Sequence, residues 1–287
     1  MKIFITGSSG FIGFHLSKKL LDKGHKVHGF DSMNNYYDIR LKKARYKILN
    51  KYKEFSFTKG KLESQKTLSN SILKFKPKII IHLAAQAGVR YSIEKPRVYL
   101  NSNISGTYNL FEACRINRVK RIIFASSAHV IGFHNRKNRI DEKCTLRPDS
   151  HYAVSKCFGE ALASLYSDKY DIKTMSIRIG SVLPQPTDER FLSTWISFRD
   201  LVHLVDIGLK SSKLHCSVVY GISKNKRSWW KNNSAYKLGY KPKDNAEKFI
   251  KNSISKNERK DSIALKFHGG VFTSDKFKGN LRDILKK

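Results

Sequence analysis

Lys2-Ile3-Phe4-Ile5-Thr6-Gly7-Ser8-Ser9-Gly10-Phe11-Ile12-Gly13 is the stretch that decides the fold. Residues 2–6 are a short apolar run bounded by a glycine, which reads as a buried strand. Three glycines follow at G-x-x-G-x-x-G spacing, and Phe14, Leu16, Leu20 and Leu21 then recur at helical intervals. A strand, a glycine turn and a helix in that order make the phosphate-binding opening of a dinucleotide fold. Gly7 permits the tight turn, Gly10 lets the backbone approach a pyrophosphate, and Gly13 lets the helix pack close to the strand. The helix N-terminus, with its unpaired N–H groups, then faces the phosphates.

A second strand, Lys26-Val27-His28-Gly29-Phe30, ends at Asp31, 18 residues after Gly13. An acid there accepts the ribose hydroxyls and repels a 2′-phosphate, so NAD is expected over NADP. No Arg follows until Arg40. Further strands are expected at 54–58, 78–83, 121–126 and 173–178. Helical patterns lie near 11–23, 37–50, 64–75, 96–116 and 151–169. This alternation predicts an α/β fold with a doubly wound parallel sheet. After Arg178-Ile179-Gly180-Ser181 the pattern is less regular. Short helices near 196–209 and 243–256 and a strand near 216–220 are expected to form a lobe over the strand ends, where ligands bind in this architecture. The division expected is therefore 1–180 for the NAD-binding part and 181–287 for a small substrate lobe, packed as one unit.

Within the helix expected at 151–169, Tyr152 and Lys156 are four apart and share a face. An ammonium beside a phenol favours the phenolate, which makes the tyrosine a usable general base near neutral pH. A Ser126-Ser127 pair ends the strand before them.

The chain has 287 residues and 40% hydrophobic content, enough for one globular unit with a small appended lobe. No apolar run reaches membrane-spanning length, and the N-terminus already reads as a strand, so neither a membrane segment nor a signal peptide is expected. Cys114, Cys144, Cys157 and Cys216 show no C-x-x-C spacing. They read as free thiols in a reducing, cytoplasmic setting, with no metal site. Lys plus Arg number 56 against 23 Asp plus Glu, a net charge of +33. The lysines are scattered through every segment, with no RNA-binding signature, zinc finger or basic arm. The surplus therefore reads as composition, not as a specific nucleic-acid site.

With these residues in view, the chain resembles the extended short-chain dehydrogenase/reductase family, the NAD-dependent epimerase/dehydratase group, along nearly its whole length. The resemblance rests on Gly7–Gly13, His82-Leu83-Ala84-Ala85, Ser126-Ser127 and the Tyr152/Lys156 pair. Two branches share it. Residues 1 to about 118 look like UDP-glucuronate 4-epimerases, through Tyr36-Tyr37-Asp38-Ile39-Arg40-Leu41-Lys42 and Leu83-Ala84-Ala85-Gln86-Ala87-Gly88-Val89-Arg90-Tyr91-Ser92. From about Arg121 the chain looks like uronate dehydrogenases. The dense matches are Phe124–Phe133, Tyr152–Glu160, Arg178–Ser181, Asp188-Glu189-Arg190, Ser193-Thr194-Trp195 and Ser228-Trp229-Trp230.

The family implies Tyr152 as general base, Lys156 on the nicotinamide ribose and Ser127 on the reacting oxygen. It implies cofactor contacts at Gly7, Gly10, Phe11, Ile12, Gly13, Asp31, Leu62, Ala84, Ala85 and Ile179. The dehydrogenase branch implies a sugar site of Ser92, Ser127, His129, Tyr152, Ser181 and Arg190, with Arg190 gripping the carboxylate as a guanidinium does. The activity implied is NAD-dependent oxidation of a free hexuronate, galacturonate or glucuronate, at C1 to the aldarolactone. The alternatives are a UDP-uronate 4-epimerase or dehydratase with bound NAD, and a non-catalytic NAD- or polyanion-binding protein. A sugar acid is the expected partner, and the helices at 96–116 and 151–169 allow a four-helix homo-oligomer contact. Two positions depart from the dehydrogenase pattern: Ala128 stands where an Asn is usual, and Lys61 stands where an Asp contacts the adenine amino group.

Overall fold

Alternate residues of the first strand bury opposite faces of a sheet, as the two-residue repeat of an extended chain requires. In the computed structural model Ile3 and Ile5 pack with Leu16, Leu20, Leu204 and Leu209 on one side. Phe4 packs with Leu68, Phe111 and Tyr166 on the other. The structure describes residues 1–251, 254, 255 and 257–286, with the backbone alone for 257 and 259.

The strands are β1 (Lys2–Thr6), β2 (Lys26–Asp31), β3 (Phe55–Lys59), β4 (Ile79–His82), β5 (Arg121–Ser127), β6 (Lys173–Ile179), β7 (Ser181–Val182), β8 (Trp195–Ile196) and β9 (Cys216–Gly221). The helices used below are α1 (Phe11–Asp22), α2 (Ile39–Leu49), α3 (Gln65–Phe75), α4 (Val89–Glu94), α5 (Pro96–Tyr99), α6 (Gly106–Ile116), α7 (His151–Tyr170), α8 (Phe191–Thr194) and α9 (Phe198–Lys210). Seven strands form one parallel sheet in the order β3-β2-β1-β4-β5-β6-β9, and β7 pairs with β8 apart from it. The chain runs outward from β1 in both directions. That reversal opens a crevice at the carboxyl ends of β1 and β4.

The doubly wound parallel sheet is the one expected, but three elements differ from expectation. The strand at 216–220 forms as β9 and joins the main sheet beside β6, so this part of the later chain is sheet core and not lid. The helix expected over 96–116 is broken into α5, a π turn at Leu100–Ser105 and α6. Asn103 in that turn binds Gln86 and Ser155, so its side chain serves the site and not a regular helical surface. Near 243–256 only a 3-10 turn at Ala246–Phe249 is found among the described residues; 252, 253 and 256 lie outside them. No helix of the described residues is long and apolar enough to cross a membrane.

A buried ion pair ties α7 to the sheet. Arg178 on β6 donates to both oxygens of Glu160 on α7 at 3.0 and 2.9 Å, and Ser126 on β5 donates to the same carboxylate at 2.5 Å. Burial opposes the charge on Arg178, yet the Glu160 carboxylate outweighs it and raises the guanidinium pKa. Removing one partner leaves the other charged, buried and alone, which costs about 3–5 kcal/mol. Glu160→Ala should therefore lose that much stability in urea unfolding. Glu160→Leu combined with Arg178→Met should lose clearly less, because no charge is stranded.

Candidate active site

The cleft at the strand ends has a volume of about 890 Å³, at the upper end of ordinary ligand sites. Its floor is the glycine turn. Gly7 takes φ +74°, and a Cβ there would meet the Ala84 backbone at 2.9 Å. A Cβ on Gly13 would collide with the Gly7 carbonyl oxygen. The buried Ser9 hydroxyl beside the turn has no partner among the described residues. A backbone cradle open to close approach and an unsatisfied buried hydroxyl suit a pyrophosphate, so the residues present fit a dinucleotide.

Of the residues expected at the site, most meet in this cleft. Gly7, Gly10, Phe11, Ile12, Gly13 and Asp31 line it, as do Leu62, Ala84, Ala85 and Ile179, and so do Ser127, His129, Tyr152 and Lys156. Three do not line it. Ser92 is fully buried on α4 and donates to the Val89 carbonyl at 2.6 Å, so its hydroxyl is spent inside its own helical turn. Ser181 shares a hydrogen bond with Thr194 at 3.0 Å and ties β7 to α8; its neighbours Gly180 and Val182 reach the cleft in its place. Arg190 is buried and donates from Nε and Nη2 to the His268 carbonyl at 3.2 and 2.9 Å. Ala128 packs into an apolar cluster with Val130, Ile131, Tyr220 and Trp230. Among the described residues no group of three or more His, Cys, Asp or Glu could hold a metal.

The Asp31 end of the cleft holds cations that the sequence spacing did not place there. Asp31 accepts from the backbone N–H of Ser9 and Met33 at 3.1 and 2.8 Å, and its Oδ1 lies 3.4 Å from Lys42 Nζ. Lys42 is buried and also donates to Asn34 at 2.9 Å. Arg45 reaches the Ser9 carbonyl and Tyr37 from the same helix. The helical repeat brings both cations onto one face of α2, eleven and fourteen residues after Asp31.

At the other end, α7 begins with Ser150, whose hydroxyl caps the helix by accepting from the Ala153 N–H at 3.2 Å. Tyr152 and Lys156 then share a face toward the cleft. Lys156 Nζ sits 5.6 Å from the centre of the Tyr152 ring and 5.0 Å from that of Phe124. Burial raises the Tyr152 pKa to about 12, with a hydrogen bond from Ser127 acting in the opposite sense. Burial also lowers Lys156 to about 7. Before any ligand binds, desolvation therefore outweighs the expected ammonium–phenol coupling. His129 packs edge-on against Phe272, and its Nδ1 lies 2.6 Å from Asp149, a residue that sequence reasoning missed.

A family model described as GDP-mannose 4,6 dehydratase matches residues 4–231. A uronate dehydrogenase of Pseudomonas syringae pv. tomato is 45% identical over 185 residues, 64% of this chain and 67% of that protein. A probable UDP-glucuronate 4-epimerase of Rhizobium meliloti is 39% identical over 187 residues, 63% of this chain and 53% of that protein. The solved structure of a mutant uronate dehydrogenase from Agrobacterium tumefaciens, complexed with NAD, superposes with a TM-score of 0.81. It is 30% identical to this chain and covers 95% of it and 97% of its own length.

The lowered Lys156 pKa has a consequence for stability. Its folded pKa, about 7, lies below the ordinary lysine value, so between pH 7 and 10 the unfolded chain binds more protons. This group therefore makes stability rise with pH across that window, and its burial cost is felt in full below pH 7. Urea midpoints of ligand-free protein at pH 7 and 9 should show a rise that Lys156→Met flattens.

Proposed function

We infer the activity from one premise: the chain belongs to the GDP-mannose 4,6 dehydratase family, among the extended short-chain dehydrogenases/reductases. It is an NAD-dependent dehydrogenase, and its reaction is oxidation of a free hexuronate, galacturonate or glucuronate, at C1 to the aldarolactone. The observation that carries this reading is the meeting of Ser127, Tyr152 and Lys156 with the glycine cradle in one cleft.

Each residue has a physical task in it. The glycine turn and the N-terminus of α1 hold the pyrophosphate through backbone N–H groups. Asp31 takes the adenosine ribose, with Leu62, Ala84, Ala85 and Ile179 as apolar walls. Lys156 binds the second ribose, and those hydroxyls replace part of the solvation that burial removes. NAD held in this cleft would supply the hydride acceptor for C1 and a positive charge at the reacting end. Tyr152 takes the proton of the anomeric hydroxyl, and Ser127 steadies that oxygen. The high resting pKa of Tyr152 means that positive charge must arrive before the phenolate is populated, so base strength is linked to cofactor loading.

Arg190 takes the sugar carboxylate in this reading. Its support is position. A Cβ on Gly269 would run into Asp149, and one on Gly270 would run into Glu258 first and then Arg190, so this glycine pair lies between the guanidinium and the residue that holds His129. Some rearrangement away from the His268 carbonyl then accompanies binding. One feature favours a second reading, exchange at C4 of a UDP-linked uronate: Tyr36, Tyr37, Lys42 and Arg45 of the epimerase-like segment line the cleft.

Purified protein supplied with NAD and free galacturonate or glucuronate should form NADH steadily. Epimer exchange of a UDP-uronate without net NADH would overturn the dehydrogenase reading. Tyr152→Phe should lower kcat by about 10²–10⁴-fold while NAD affinity stays within a few-fold. Arg190→Ala should lower kcat/KM for the uronate by an amount equivalent to about 2–5 kcal/mol, yet barely alter oxidation of the matching neutral aldose. Equal losses on both sugars would make Arg190 structural. NAD should be preferred to NADP; better kinetics with NADP would show that Lys42 and Arg45 dominate over Asp31.

A further inference from the structure

His129 sits at the mouth of the reacting end, and its ring is held from behind. Its Nδ1 is 2.6 Å from Oδ2 of Asp149, and its centre is 6.4 Å from that of Tyr152. Asp149 is itself fixed. Its other oxygen accepts from the Ser150 hydroxyl at 3.0 Å, and its side chain is fully buried. The space that it fills exists because Gly132 and Gly269 have no side chains: a Cβ on either would collide with its carboxylate. Among the described residues, Nε2 of His129 has no hydrogen-bond partner, and the residue lines the cleft.

We propose that Asp149 is a positioning residue that keeps the His129 proton on Nδ1 and presents a bare Nε2 lone pair to the substrate, where it accepts from a hydroxyl next to the reacting carbon. A carboxylate accepts only, so a neutral imidazole bonded to it must place its proton on the bonded nitrogen. The other nitrogen is then an acceptor by necessity. C1 itself is flanked by C2, which carries a hydroxyl, on one side and by the ring oxygen on the other. A ring oxygen has no proton to give, so the bare Nε2 selects the hydroxyl side. Ser150 couples this device to the base: the hydroxyl that braces Asp149 also caps the helix on which Tyr152 stands two residues later.

The kinetic half of this proposal rests on the uronate reading given above, while the tautomer half does not. The key variant is Asp149→Asn. Its carbonyl oxygen keeps the bond from Ser150, which places its NH2 group against His129 Nδ1 and forces the proton to Nε2. Ligand-free protein labelled with 15N-histidine, at a pH where the ring is neutral, should show His129 as the Nδ1–H tautomer; His129→Gln assigns the signal. Asp149→Asn should move it to Nε2–H. In kinetics, Asp149→Asn should raise KM for the uronate about tenfold or more and lower kcat less, with NAD affinity within twofold. The double variant with His129→Gln should lose no more than His129→Gln alone, because the carboxylate acts through that ring. An Nε2–H tautomer in the wild type, or losses that simply add in the double variant, would overturn the proposal. If no uronate is oxidised by the wild type, the functional reading fails and the tautomer measurement still decides the role of Asp149. Should Asp149→Asn fold poorly, Asp149→Ala offers the same readout: a mixed tautomer is expected, and an unchanged Nδ1–H form would count against the role.

Discussion

The catalytic helix is held on its sheet by a charge pair under it, and the geometry of the reacting end depends on that contact. Arg178 and Ser126 on adjacent strands grip one carboxylate of α7, which fixes rotation and rise of the helix together. Glu160 is four residues after Lys156 and eight after Tyr152, so all three lie along one stripe. Anchoring one end of that stripe aims the other end into the cleft. Ser127 immediately follows Ser126 on β5, so the same anchor sets the spacing between the Ser127 hydroxyl and the Tyr152 phenol. An apolar pair would pack there as well, but it would not fix direction as two parallel N–H···O bonds do.

Much of this arrangement was legible because it follows short-range rules. A glycine turn after an apolar run, an acid at the end of the second strand and a tyrosine–lysine pair one helical turn apart each state their geometry in a few residues. What escaped is what depends on which partner a side chain finds across the fold. Ser92 has the chemistry of a sugar ligand, yet it is bonded within its own helix, and the carbonyl that holds Arg190 in this structure lies 78 residues away. Lys42 was visible as one lysine among many; its closeness to Asp31 appears only when the start of α2 folds back over β2. Asp149 stood in plain view before a helix cap, but nothing local says that His129, 20 residues earlier, will meet it. The π turn at Leu100–Ser105 combines both kinds of signal: the stretch is rich in the weak helix formers Asn and Ser, while the contacts of Asn103 with Gln86 and Ser155, 17 and 52 residues away, are not local.

The phenol and the ammonium in the cleft are tuned in a direction opposite to simple pairwise reasoning. Two groups that would help each other in water are both pushed toward neutrality when buried, Tyr152 upward and Lys156 downward. In a dry site of this kind the phenolate form of Tyr152 is disfavoured while no added positive charge lies near it. For a dehydrogenase this has value, because a phenolate formed without cofactor has no hydride acceptor beside it.

The charge of +33 fits the same picture once the acids are located. Asp31, Asp149, Glu160, Asp200 and Glu258 are buried, where they brace the glycine turn, an imidazole, a helix, a loop and an arginine. Acids so placed add little to the outer surface, and the scattered lysines dominate there. A positive field of this breadth draws anions toward the molecule without binding any one of them tightly, and it fades as salt is added. Sugar carboxylates and dinucleotide phosphates are both anions. The surface charge can therefore speed their arrival, whereas discrimination between them is left to Asp31 and the buried groups within the cleft.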